Sequence, residues 1–260
     1  MAVQILSVAT NLEHIGAQNL IKSANYHNET VQFIGVGETW GGWRWRMEKY
    51  RDAIRKLSSE TIVVCIDAYD VLITDSLHLL PKIFENLELQ ILVSSDSWCF
   101  GRNCKYIPTF HQKQRKQKIE NLDRPYVCMG IVAGRARAME QMYSEILESG
   151  ISDDQIGLAT YLENHAGEVG IELDDDEILA CNITGLKHFD PFQENISMFT
   201  HFPSFVTWTG FSLAYRSVLK QNTKDGKQYP MFGKYRPQCI KILIGLVLFI
   251  FVVTGLKFFH

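Results

Sequence analysis

A chain of 260 residues, 46% hydrophobic and 12% aromatic, is long enough to bury a sizeable core and has room for one α/β domain plus a short appendage. Its net charge of -3 supplies no basic field for a polyanion, which argues against nucleic-acid binding. Six cysteines without a CxxC or paired histidine spacing point to neither a zinc site nor a disulfide scaffold, and the one close pair, Cys99 and Cys104, is expected as two free thiols.

The predicted elements alternate from the start. Val3 to Ala9 reads as a strand, with no basic stretch or cleavage site of a signal peptide, so the folded domain is expected in the cytosol. The sequons at Asn28, Asn182 and Asn195 would then stay unglycosylated. Thr10-Asn11 opens a loop into a helix over Gly16 to Tyr26, and a strand at Val31 to Val36 enters the turn Gly35-Val-Gly37-Glu-Thr-Trp-Gly41-Gly42. A helix from about Arg46 to Leu57 follows, then the apolar run Thr61 to Ile66, a strand buried on both faces. A helix over Leu77 to Asn86 and a strand over Leu89 to Ser94 continue the alternation of a mostly parallel sheet.

Arg102 to Arg124 is basic, Gln-rich and without periodicity, and is expected as a mobile loop. Val127 to Ala133 resumes the sheet, Ala136 to Glu148 is an amphipathic helix, and Ser152-Asp153-Asp154-Gln155 caps the next helix. Gly170 to Leu173 is a short strand and Phe199 to Pro203 closes the domain, taken as residues 1–215. A linker over 216–238 leads to a predicted transmembrane helix over 239–259, because Ile242 to Leu256 is uncharged and bracketed by Lys241 and Lys257. Positive charge from Lys220 to Lys241 precedes it, so a single-pass C-terminal anchor would leave the large domain facing the cytoplasm.

Asp67 and Asp70, in Cys65-Ile-Asp67-Ala-Tyr-Asp70-Val, stand at the carboxyl end of a buried strand, where ligands bind in open α/β sheets. In a continuing strand they would point to opposite faces, so their convergence requires the chain to turn at Asp67. Two carboxylates meeting there suit Mn²⁺ or Mg²⁺ bridging a diphosphate. An isolated DxxD is more often a cap or a turn, and a haloacid-dehalogenase-type phosphotransferase would carry its acids after the first strand at a different spacing.

Several landmarks in order resemble the glycosyltransferase domain of the procollagen galactosyl- and glucosyltransferases, including the one fused to lysyl hydroxylases. They are Val8-Ala9-Thr10, the glycine-rich turn with Met47-Glu-Lys-Tyr50, Ile66-Asp67-Ala68-Tyr69-Asp70, Ser94-Ser-Asp-Ser-Trp-Cys99, Gly130-Ile-Val-Ala-Gly134, Asp153-Asp154-Gln155 and Thr200-His201-Phe-Pro203. A compact form also resembles enzymes of large DNA viruses. The resemblance implies a GT-A-like, Rossmann-related sheet flanked by helices, and a divalent cation held by Asp67, Asp70 and His201. It places uridine against Val8, Ala9, Thr10, Arg44, Trp45 and the Asp67-Ala68-Tyr69 turn, with Asp153, Asp154 and Gln155 beside the transferred sugar and acceptor.

The implied function is transfer of a hexose from a UDP-sugar to a hydroxyl of a glycan, protein or lipid-linked acceptor. The alternatives are a catalytically silent nucleotide-sugar or glycan-binding module and a phosphoryl-transfer enzyme. Asp153 or Asp154 would orient or deprotonate the acceptor, although a helix N-cap satisfies the same string. Trp98 and Phe100 are candidates to stack on sugar. The acidic run Asp174 to Glu177 is expected as a solvated loop. Cys128-Met129-Gly130-Ile131 stands where the family commonly has Asn-Ser-Gly-Gly, and Phe202-Pro203-Ser204 replaces its glycine-rich phosphate loop.

Overall fold

The computed structural model describes residues 2–97, 107–115, 123–182 and 197–202. Trp98, Phe100, Cys99, Cys104, Asn195, Pro203 and Ser204, with the predicted linker and anchor over 216–259, lie outside the described residues. Among the described residues no helix is long and apolar enough to cross a membrane.

The main sheet is built from β1 (Val3–Val8), β2 (Val31–Ile34), β3 (Ile62–Asp67), β5 (Ile91–Asp96), β6 (Tyr126–Arg135) and β7 (Ile171–Asp174), with β4 (Val71–Ile73) lying elsewhere. Its order is β2-β1-β3-β6-β5-β7, and every neighbouring pair is parallel except those made by β6. The mostly parallel sheet is therefore as expected, with one reversed strand inside it. The chain winds outward from β1 to β2 and then returns to the other side of β1 at β3, so a crevice opens at the carboxyl ends of β1 and β3.

Alternation along β3 explains the layers. Val63 and Cys65 join the core beneath α2 (Gly42–Ile54), α5 (Ala136–Glu148) and α6 (Asp154–Asn164), whereas Ile62, Val64 and Ile66 face α1 (Ile15–Tyr26) and α3 (Leu80–Asn86). The apolar face of α5 is Ala136, Met139, Met142, Tyr143, Ile146 and Leu147, the three-and-four spacing of a helix lying on a sheet.

Three features differ from the sequence reading. The segment read as a mobile loop contains a helical turn, α4 (Pro108–Phe110), and Ile107 and Phe110 are buried in the core that includes α6, because two large apolar side chains three apart share one face of a turn. The acidic run is not wholly solvated either. Asp174 is buried and accepts backbone hydrogen bonds from Ile178 (2.8 Å), Leu179 (3.0 Å) and Ala180 (2.8 Å), closing the turn after β7. A second sheet, ordered β4-β9-β8, is formed by β4, β8 (Ala180–Asn182) and β9 (Phe199–His201); none of the three was read as a strand, and β9 falls in the segment expected only to close the domain. Three-residue strands are too short to show a period.

Candidate metal centre

The chain leaves the main sheet at the end of β3. Asp67 is its last residue, Ala68 to Asp70 bend, and β4 begins at Val71 in the second sheet. This is the turn that convergence of the two aspartates demanded. Opposite Val71, in antiparallel register on β9, sits His201. One ligand atom from each of Asp67, Asp70 and His201 lies within 4.8 Å of the others. The imidazole Nε2 is 3.8 Å from Asp67 Oδ2 and 3.7 Å from Asp70 Oδ2.

Those separations exceed a hydrogen bond, and Nε2 is buried with no hydrogen-bond partner. A buried, unpartnered nitrogen facing two carboxylates is the signature expected of a cation site, and two hard oxygens with one imidazole fit Mn²⁺, with Mg²⁺ the harder alternative. Burial, reinforced by the neighbouring charge of Asp70 and opposed by Arg46 and His201, pushes the Asp67 carboxyl up to about 6. The ring of His201 packs against Gly130 of β6. A Cβ on Gly130 would fall 2.2 Å from His201 Cε1, so glycine is needed there.

The other imidazole nitrogen is engaged. His201 Nδ1 lies 2.7 Å from Asn182 Oδ1 and 3.4 Å from Cys128 Sγ. Cys128, the departure from the family pattern, therefore stands behind the histidine.

Arg46 connects this cluster to α6. Its buried guanidinium is hydrogen-bonded to Asp67 Oδ1 through Nη1 and ion-paired with Asp154 Oδ2 through Nη2, while Trp43 lies over it with Cζ 4.9 Å from the ring centroid. Sequence reasoning missed Arg46 and favoured Arg44. The structure engages Arg44 elsewhere, with Nη1 donating to the Leu147 carbonyl at 3.0 Å and Nε 3.3 Å from Glu48. The available signal was helical phase: Arg46 shares the buried face of α2 with Met47, Tyr50 and Ile54, and an arginine on such a face must meet a carboxylate.

At the end of β1 the turn residue Tyr69 meets Thr10 of the Val8-Ala9-Thr10 strand terminus. Tyr69 Oη accepts from the backbone N–H of Thr10 and of Asn11, both at 3.1 Å. Tyr50 Oη accepts from Val8 N at 3.3 Å and donates to the Ile66 carbonyl at 2.8 Å, tying β1 to β3 just below the site. Trp45 packs on the glycine-rich turn, where a Cβ on Gly41 would come 2.6 Å from its ring, and Trp40 leans on it at 5.5 Å between centroids. Ala68, the first residue of the bend after β3, is buried.

Asp153 is the N-cap of α6, its Oδ1 accepting from Ile156 N at 3.0 Å, and Asp154 occupies the first turn. The capping reading is thus realised for Asp153. Asp154 is buried, and burial lifts its carboxyl above the ordinary range against the pull of Arg46. Gln155 is half-buried beside them. The structure brings together Thr10, Asp67, Tyr69, Asp70, Asp154 and His201, and leaves Arg44 turned towards α5.

Residues 1–197 match the family described as the PLOD GT domain. The chain belongs to this family. The PLOD GT domain is a glycosyltransferase domain, and the chain is a glycosyltransferase of that kind. It is similar to procollagen-lysine,2-oxoglutarate 5-dioxygenase of Drosophila melanogaster, 24% identical over 197 residues that make up 72% of this chain and 26% of the relative. It is also similar to the human multifunctional procollagen lysine hydroxylase and glycosyltransferase LH3, 32% identical over 111 residues, 37% of this chain and 14% of that protein. The chain thus spans about a quarter or less of the length of these relatives. A solved glycosyltransferase involved in glycosylation of the major capsid of PBCV-1 shares the fold, with a TM-score of 0.51 and 13% identity over 85% of this chain and 100% of that one. The PLOD GT match ends short of His201, whose part in the site rests on the geometry above.

Proposed function

We propose that this PLOD GT domain is a GT-A-like, metal-dependent hexosyltransferase that takes its sugar from UDP and passes it to a hydroxyl of a glycan, protein or lipid-linked acceptor. The observation that carries the proposal is the convergence of Asp67, Asp70 and the unpartnered Nε2 of His201 from three strand ends. Mn²⁺ or Mg²⁺ held there would neutralise the negative charge that builds on a departing diphosphate.

The chain's own residues have separable tasks. Thr10, Tyr69 and Trp45 border the end of β1, where the uridine is placed by family resemblance. Arg46 engages Asp67 Oδ1 and leaves Oδ2 facing His201. Through its other nitrogen it fixes Asp154, so the first turn of α6 is held one guanidinium away from the metal centre. The family resemblance puts Asp153, Asp154 and Gln155 beside the acceptor, where a carboxylate within hydrogen-bond reach of its hydroxyl would accept the proton.

The test is UDP release by the full chain with Mn²⁺ and a panel of UDP-sugars. Slow hydrolysis of one donor, abolished by EDTA and by Asp67→Ala, is expected. UDP binding without turnover of any donor or acceptor combination would instead identify a nucleotide-sugar-binding module.

A further inference from the structure

We infer that Asn182 is a positioning residue that fixes which nitrogen of His201 is offered to the cation. The inference rests on the metal-centre reading and adds to it a residue to which no role has been assigned.

The argument is one of hydrogen-bond inventory. Asn182 is 1% exposed and sits beside His201 in parallel register between β8 and β9. Its Nδ2 donates to the Ser95 carbonyl at 2.7 Å. A carbonyl can only accept, so the amide is oriented with its nitrogen on Ser95 and its oxygen on the histidine. Oδ1 likewise only accepts, and at 2.7 Å from His201 Nδ1 it requires the proton to be on Nδ1. With Nδ1 protonated, the lone pair available to a metal is on Nε2, the atom that faces Asp67 and Asp70. Cys128 Sγ, 3.4 Å from Nδ1 and 3.5 Å from Asn182 Oδ1, is a weaker neighbour of the same pair.

The chain thereby holds the ring at both ends. Gly130 admits the ring against β6, and Asn182, anchored to the end of β5 through Ser95, sets its rotation and tautomer. The same burial removes Asn182 of the Asn-Ile-Thr sequon from any glycosylating enzyme once the domain has folded.

Two substitutions separate the two ends of the amide. Asn182→Leu removes the acceptor for Nδ1–H and the donor to Ser95; Asn182→Asp keeps the acceptor and loses the donor. Mn²⁺ alone is the probe, its free concentration followed by electron paramagnetic resonance, with the unfolding temperature of the metal-free protein measured alongside. Both variants are expected to unfold at lower temperature. Only Asn182→Leu is expected to lose Mn²⁺ affinity, by about tenfold to a hundredfold, the loss typical of removing a histidine's outer hydrogen-bond partner.

An Asn182→Leu protein that binds Mn²⁺ like wild type, or an Asn182→Asp protein that loses as much as the leucine variant, would overturn the role. Wild type and His201→Ala supply the control: if Mn²⁺ binding is absent or indifferent to His201, the metal-centre reading itself fails. Should Asn182→Leu not fold, NMR of wild type carrying isotope-labelled histidine and cadmium decides. A protonated Nδ1 with cadmium on Nε2 supports the inference, and cadmium on Nδ1 overturns it.

Discussion

A buried guanidinium shared by two carboxylates is the costliest polar feature of the site. Arg46 satisfies Asp67 and Asp154 at once, and burial would otherwise disfavour all three charges. Arg46→Met would leave two carboxylates close together without their common partner. Removal of one member of a buried ion pair costs about 3–5 kcal/mol, and that loss of stability is expected in urea unfolding. Adding Asp154→Asn should recover part of it, because one of the orphaned charges is then gone. Equal stabilities of Arg46→Met and wild type would show that the pair contributes nothing. The sequence left this residue unread because its partners are far along the chain and only helical phase hinted at its burial. Asp67, Asp70 and His201 were legible through the resemblance, and Asn182 was not, since its meaning lies in a contact across two strands.

Short elements carry the geometry that long ones only support. The long, strongly patterned segments β3, β6 and α5 were readable from apolar runs and helical spacing, whereas β8, which carries Asn182, β9, which carries His201, and β4, which pairs with β9, are three residues each. The turn between β7 and β8 depends on Asp174, whose carboxylate accepts three backbone N–H groups. Burial nonetheless pushes its carboxyl up to about 6 from 3.8. The raised value means that the folded chain binds this proton more tightly than the unfolded chain. The contribution of Asp174 to stability is thus largest below 3.8 and declines as pH rises towards about 6, then levels off. Asn at this position keeps the shape but turns a donor towards backbone donors, and a loss of about 1–3 kcal/mol is expected at neutral pH. The stability difference between wild type and Asp174→Asn should also shrink as pH rises through that acidic window. Parallel slopes would place the titration elsewhere.

At the scale of the whole molecule, the winding of the sheet decides where chemistry is possible. The crevice between the carboxyl ends of β1 and β3 receives the Thr10 terminus, the Asp67 turn and, through β9, His201. That architecture was legible because strands and helices alternate with apolar runs of the right length; the reversed β6 was not, since direction leaves no mark on composition. We propose that the uncharged run Ile242 to Leu256 holds the chain to a membrane, with the lysines that precede it and the transferase domain on the cytoplasmic side. Deletion of the residues after Gln238 should move the protein from the membrane fraction to the supernatant, and a truncation that stays with the membrane would refute the anchor.

The central claim is that Asp67, Asp70 and His201 together hold the cation that binds the donor's diphosphate. Its most direct measurement is anomalous X-ray diffraction from crystals grown with Mn²⁺ and UDP. A manganese peak contacting both aspartates, His201 Nε2 and diphosphate oxygens is the expected result. A peak away from these residues, or UDP bound without manganese, would contradict it.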